Sequence, residues 1–342
     1  MERRGCQKGA SLLTRVENTI KKYNLINDGD KIVLGVSGGP DSICMLDVLN
    51  RIKNDLNKGF SFEIVVAHVN HLIREEAVYD ELFVKEFCEK IQVPFYSKSI
   101  DVQKIANNNK IGTEEAGRNA RYEFFDEILN MTGSNKIAIA HNKNDKAETI
   151  LMNLLRGSGI AGLRGIEAIK DEKYIRPLLE CERKEIEEYC EERNIEARID
   201  RTNFENIYTR NKIRNIVIPY IKKEFNPNII ETLNRLSELI KEDDEYINKI
   251  VQKEYEDMLV KEEEKEILLD LKKFNNQEKV IKARILLYTI IRLFGSTKGI
   301  EKIHIEDAIK LCKNNIGNKY LTPNKNIKIL LKNHLIYVIK QT

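Results

Sequence analysis

The segment Leu34-Gly35-Val36-Ser37-Gly38-Gly39-Pro40-Asp41-Ser42 runs an apolar strand straight into a glycine-rich turn and then a helix. That geometry builds an anion site. Backbone N–H groups of the turn and of the first helical turn converge where phosphate oxygens can sit, and the helix dipole favours negative charge there. Gly38 and Gly39 permit positive φ and close backbone approach, while Ser37 and Ser42 add hydroxyl donors. Asp41 is an odd neighbour for phosphate unless it holds a metal ion or a proton donor. No Gly-Lys-Ser/Thr follows, and the glycines are not spaced G-x-G-x-x-G, which excludes a Walker loop and a dinucleotide fingerprint.

Around this turn the chain alternates. Lys31–Val36, Glu63–Val69, Val93–Tyr96, Lys136–Ala140 and Tyr174–Leu178 read as buried strands. Between them, Ile43–Ile52, Glu75–Ile91, Thr113–Asn130, Asp145–Arg156 and Arg183–Arg193 read as amphipathic helices. Such alternation predicts an α/β fold, an open and mostly parallel sheet with helices on both faces and ligands outside the carboxyl ends of the strands. After about residue 200 the period changes to helical, over Asn228–Leu259 and Glu278–Phe294, and Asn326–Ile339 reads as a terminal hairpin. The expected divisions are therefore an N-terminal extension and first helix (1–24), a sheet domain (25–210) and a mainly helical domain ending in the hairpin (211–342). The acidic runs Glu242–Glu245 and Glu262–Glu264 read as solvated helix faces or loops.

Charge narrows the partners. With 57 Lys and Arg against 54 Asp and Glu, the net charge is only +3, so any nucleic-acid surface must be a local patch. One exists: between Arg198 and Lys223 seven basic residues face two acids, and Arg210, Lys212 and Arg214 form its centre. The six cysteines are scattered, without C-x-x-C or zinc spacing, and read as reduced thiols of a cytoplasmic protein. No stretch has the apolar length of a membrane span, and no membrane partner is expected.

Three further segments border the predicted crevice. The second strand ends in His68-Val69-Asn70-His71, beside the glycine turn. A helix beginning at Thr113 carries Arg118 and Arg121 on one face; Arg121 has no acid at helical spacing, whereas Arg118 has Glu114. Two such arginines suggest a clamp on phosphate, with an ordinary Glu114–Arg118 pair as the competing reading. The fourth strand leads into His141-Asn142-Lys143-Asn144-Asp145, with Asn144 the expected N-cap and Glu148 one turn on. Asp41 and Asp145 are candidates to share a magnesium ion that bridges to phosphates. The glycines of Gly157–Gly165 mark a bent loop, either a structural turn or a lid.

In order, S-G-G-P-D-S, H-V-N-H-L-I-R, E-E-A-G-R-N-A-R-Y, A-H-N-K-N-D-K-A-E-T, L-L-R-G-S-G-I-A-G-L and Y-T-R-N-K-I-R resemble the tRNA(Ile)-lysidine synthetase family of the PP-loop ATP-pyrophosphatases, over roughly residues 25–220. The resemblance implies a cytoplasmic ligase that uses ATP and Mg²⁺ to join free L-lysine to the wobble cytidine of a tRNA(Ile) with a CAU anticodon. It implies a Rossmann-like PP-loop fold, with Asp41, His141, Asp145 and Arg118 at catalytic positions. Ser37, Gly38, Gly39, Pro40, Asp41, Ser42, His68 and Arg121 would then meet the nucleotide, and Arg210, Lys212 and Arg214 the tRNA. A homodimer is compatible with it. The chain departs from the family pattern at Asn144, where a first aspartate usually stands, and at Asn142, in place of a frequent second histidine. Many members also continue into a further C-terminal domain. The alternatives are a tRNA thiolase, a small-molecule amide ligase, or a non-catalytic tRNA-binding module. The first would want reactive cysteines, and the second leaves the basic patch unexplained.

Overall fold

The structure is a computed structural model and describes residues 11–55, 60–72, 77–198, 209–314 and 319–341. Two compact units follow one another, 1–238 and 239–342. The first therefore extends past the change of period near 200–220 and takes in the start of a long helix.

In the first unit the order is α1 (Leu12–Tyr23), β1 (Asp30–Gly35), α2 (Pro40–Lys53), β2 (Phe62–Asn70), α3 (Ala77–Lys90), β3 (Phe95–Ser99), α4 (Val102–Asn109), α5 (Thr113–Thr132), β4 (Lys136–Ile139), α6 (Lys143–Leu155), α7 (Ile160–Leu163), β5 (Ile169–Lys170), β6 (Tyr174–Ile175) and α8 (Arg183–Glu192). A helix then runs from α9 (Thr209–Lys212) through one π-helical segment, Ile213–Val217, into α10 (Ile218–Glu224). The six strands lie in the order β3-β2-β1-β4-β6-β5, all parallel except β5 against β6. Strand order reverses between β1 and β4. The connections leaving their carboxyl ends turn to opposite faces of the sheet there and leave a crevice, the point where such sheets bind ligands. β1 is buried on both faces because its run Ile32-Val33-Leu34 is apolar throughout.

The sequence-predicted strands are present, with two differences. Val93 N–H closes on Cys88 O at 3.0 Å, so the third strand starts only after Pro94. The fifth predicted strand is cut to Tyr174–Ile175, because Arg176 N–H turns to Ala168 O (3.0 Å) and two tight turns follow at Leu179 and Cys181. The five described cysteines are buried and unpaired. Residues 1–10, with Cys6, lie outside the described residues, as do residues 199–208 of the basic run.

α11 (Ile229–Met258) leads into the second unit, which continues with β7 (Leu259–Glu262), β8 (Glu266–Asp270), α12 (Leu271–Asn275), α13 (Lys279–Phe294), α14 (Lys302–Asn314), β9 (Tyr320–Asn324), β10 (Ile327–Lys332) and β11 (Leu335–Lys340). The predicted hairpin is β10–β11, turned by Asn333 and His334, both at positive φ. It belongs to a five-stranded antiparallel sheet, β7-β8-β11-β10-β9, whose other strands are short and carry little periodicity. Phe274, Ile285, Ile290, Ile329 and Val338 fill its core. The acidic run 242–245 is not wholly solvated: Asp244 is 2% exposed and pairs with Arg284 at 2.7 Å. No helix among the described residues is long and apolar enough to cross a membrane.

Candidate active site

The glycine turn leaves β1 and enters α2. Gly38 sits at φ +94°, a conformation that only glycine adopts without strain, and Gly39 is the N-cap with Pro40 following as the first helical residue. The Ser42 hydroxyl, on a residue 5% exposed, accepts from Ser37 N–H (3.1 Å) and Gly38 N–H (3.2 Å) and donates to Gly39 O (2.9 Å). It ties the turn into shape, while Ser37 is exposed at the surface of the turn. His68, which the resemblance sets against the nucleotide, is 3% exposed; its Nδ1–H donates to Val36 O at 2.8 Å. Its side chain braces the loop from beneath and does not face the crevice.

Across the switch point, β4 delivers His141 and then α6. The N-cap is Asn142, not the expected Asn144. Asn142 Oδ1 accepts from Asp145 N–H (2.9 Å) and Asp145 Oδ2 accepts from Asn142 N–H (3.0 Å), a reciprocal capping box. Asn144 Oδ1 accepts instead from Arg183 N–H at the start of α8 (3.0 Å). Both departures from the family pattern are thus absorbed locally. Asn142 also donates through Nδ2 to Asp41 Oδ1 (3.0 Å), which joins the helix after β1 to the helix after β4.

Asp145 and Glu148, one turn apart, face three arginines. Asp145 Oδ1 lies 3.2 Å from Arg183, 3.3 Å from Arg210 and 3.0 Å from Arg214. Glu148 takes Arg210 Nε at 3.0 Å, Arg214 Nε at 2.7 Å and Arg183 at 3.4 Å. The Glu148 side chain is 1% exposed, so it belongs to the buried cluster and not to a solvated helix face. Arg210 and Arg214, an outward phosphate surface by sequence, point into the site. Glu148 raises the Arg214 pKa above its ordinary value although burial acts to lower it. Only Lys212 of that trio faces outward.

Asp41 stands apart from the arginine cluster. Burial first, and then the charge of Asp145, push its carboxyl up from 3.8 to about 6. Its Oδ2 has no hydrogen-bond partner among the described residues, whereas both oxygens of Asp145 are engaged. No group of three metal-ligating side chains occurs among the described residues. A magnesium ion arriving with nucleotide phosphates needs only one or two carboxylates. Asp41, with a free oxygen and no ion pair among the described residues, fits that requirement. Asp145 can assist only by exchanging an arginine contact.

His141 completes the crevice. Its Nδ1 accepts from Arg176 Nε–H at 3.0 Å. Burial and the nearby charges of Arg176, Arg210, Arg118 and Arg121 hold its pKa well below the ordinary value. Arg118 and Arg121 are exposed on α5. The Glu114–Arg118 pair does not form among the described residues: Arg118 donates to Tyr122 OH (3.3 Å) and lies over the Tyr122 ring. Arg121 has no carboxylate partner among the described residues.

A family model described as the PP-loop domain matches residues 12–221. The tRNA(Ile)-lysidine synthase of Clostridioides difficile is 45% identical over 331 residues, covering 96% of this chain and 71% of that protein. The chain belongs to the tRNA(Ile)-lysidine synthase family. The synthases of Clostridium acetobutylicum (45% identity, 92% of this chain, 67% of that protein) and Caldanaerobacter subterraneus (40%, 97% and 70%) are similar in the same way. Among solved structures, the U34-tRNA thiolase NcsA from Methanococcus maripaludis shares the fold, with TM-score 0.58 and 17% identity over 70% of this chain and 88% of that one.

In this lysidine synthase family member the crevice unites Asp41, His141, Asp145, Arg210 and Arg214, contributed by α2, β4–α6 and α9 with the π-helical segment. Sequence reasoning sets Glu148 on the ligand side with His141 and Asp145 but gives it no role, and it does not assign Arg176 or Arg183 to the site. Arg176 carries a signal: it is a charged residue inside an apolar run that otherwise reads as buried strand. Arg183 carries none, because its partners lie 38 and 35 residues away.

Proposed function

We propose that the chain joins free lysine to the wobble cytidine of a tRNA(Ile) carrying a CAU anticodon. ATP first adenylates the carbonyl oxygen on C2 of cytosine: an O–P bond forms, the bond between the α- and β-phosphates breaks, and pyrophosphate leaves. The lysine ε-amine then bonds to C2, the C–O bond to AMP breaks, and the amine gives up its proton. The observation that best supports this reading is the meeting of the PP-loop, Asp41, His141 and the Asp145–Glu148 cluster at one switch point, in a chain of this family.

Each group has a task that its environment suits. Turn N–H groups and the α2 dipole receive pyrophosphate. Arg118 and Arg121, without carboxylate partners among the described residues, answer charge on the phosphates. Mg²⁺ held by Asp41 would neutralise charge that develops there. A carboxylate at the crevice is able to receive the proton that the amine gives up.

The tRNA contact falls on the outer face of the helix through α9 and α10. Arg210 and Arg214 turn inward, while Lys212, Ile216, Tyr220, Lys222 and Lys223 are exposed, and Tyr220 meets Phe225 edge-on with centroids 5.9 Å apart. Lysines beside exposed aromatic rings suit phosphates and unstacked bases. Replacing Lys212, Lys222 and Lys223 with glutamine is expected to weaken tRNA binding and flatten its salt dependence, by about 0.7–0.9 in log–log slope for each phosphate that is no longer neutralised. An unchanged slope in filter-binding titrations would return this face to plain solvation.

The reaction itself is tested by AMP release with a CAU-anticodon tRNA(Ile) transcript, with and without labelled lysine. Lysine-dependent AMP release with label entering the tRNA is the expected result. ATP cleavage indifferent to that tRNA would move the acceptor to another molecule.

A further inference from the structure

We propose that Arg176 is a positioning residue that locks His141 as its Nε2–H tautomer, so that His141 offers the reacting centre a hydrogen-bond donor and not a base. The inference rests on the ligase reading above and assigns His141 a specific role within it. A guanidinium has five N–H donors and no acceptor. Where Arg176 Nε lies 3.0 Å from His141 Nδ1, Nδ1 must therefore be the lone-pair nitrogen and the ring proton must sit on Nε2. Nε2 has no hydrogen-bond partner among the described residues.

Arg176 is held where it cannot swing away. It is 4% exposed, its Nη1 donates to Glu167 O at 2.5 Å, and its own N–H donates to Ala168 O at 3.0 Å. Those anchors fix the arginine through the backbone before β6, independently of His141. The charged groups facing His141 are Arg118 and Arg121 from α5, Arg176 after β6 and Arg210 from α9, all cationic. An imidazolium would add a like charge and turn a second N–H toward Arg176 Nε–H. Both effects keep the ring neutral. A neutral imidazole donor strengthens its bond as negative charge grows on the cytosine oxygen or the α-phosphate, and it gives up no proton.

The test is imidazole ¹⁵N NMR on the full chain, which holds only five histidines, with a His141→Gln variant for assignment. In the wild type, His141 is expected to show an unprotonated Nδ1 and a protonated Nε2, without titrating between about pH 5 and 8. Arg176→Met should release the ring into mixed tautomers. It should lower kcat about tenfold to a hundredfold with little change in KM for ATP. Arg176→Lys, which still donates to Nδ1, should restore the Nε2–H signature and much of kcat. A protonated Nδ1 in the wild type overturns the proposal even if Arg176→Met does not fold. So does a folded Arg176→Met whose tautomer is unchanged. Because the spectra need neither tRNA nor lysine, a failed ligase assay with the expected spectra would overturn the reaction and leave the tautomer assignment standing.

Discussion

Replacing Glu148 with alanine is expected to destabilise the fold by about 3–5 kcal/mol, the range for removing one partner of a buried ion pair. The Glu148 side chain is 1% exposed and accepts from Arg183, Arg210 and Arg214 together. Arg183, Arg210 and Arg214 would then share Asp145 alone, so the deletion leaves guanidinium charge without its buried partner. Glu148→Gln keeps the shape and one acceptor oxygen, and should cost less. Urea unfolding with an unchanged m-value checks both. A midpoint within error of the wild type for the alanine variant would show that water reaches the cluster and screens it. Activity should fall with stability here, since α9 and the π-helical segment are held to the crevice through the same contacts.

Asp41→Asn should do the opposite to stability while abolishing adenylation. The Asp41 pKa is raised from 3.8 to about 6, so the folded protein binds that proton more tightly than the unfolded chain does. The stabilisation is fully present below about pH 4 and is lost as pH rises through 6, a loss of at most about 3 kcal/mol at neutral pH. Asparagine removes the like charge beside Asp145. In chelator-treated protein the variant should therefore unfold later than the wild type at pH 7.5, and the advantage should vanish near pH 4. Pyrophosphate release should fall by at least about a hundredfold, the scale of losing a group that stabilises developing charge. A variant that loses stability at pH 7.5 would show that Asp41 is already neutralised there by groups other than Asn142. Retained pyrophosphate release would remove Asp41 from the chemistry.

How much of this is legible depends on the range of the interaction that decides each feature. The PP-loop, the parallel alternation, α6 and the terminal hairpin follow from short-range rules. A strand–glycine–helix junction, period-two and period-3.6 burial and turn residues at positive φ are all written within about a dozen residues. Positions 41, 141 and 145 stand out for that reason, from their places at strand ends. Local rules fail where a side chain has two competing local roles. Asn142 and Asn144 are equally good caps by type, and only the approach of α8, which takes Asn144 for Arg183 N–H, leaves the cap to Asn142. Ser42 and His68 lie on the expected loop and strand, and their side chains also bond to the backbone of that loop, which no local pattern announces.

The sheet, the phosphate turn and the residue types at the strand ends are written in the chain itself, because backbone conformation and hydrophobic periodicity are local. Which charges meet depends on how the helices pack. Arg210 and Arg214 read as a basic patch for phosphates until the helix carrying them is brought across α6. Arg176 reads as an interruption of a strand until the turn after β6 aims it at His141. Charge pairing over dozens of residues is set by where helices dock, and docking is driven by apolar burial that carries no record of which polar groups it will bring together.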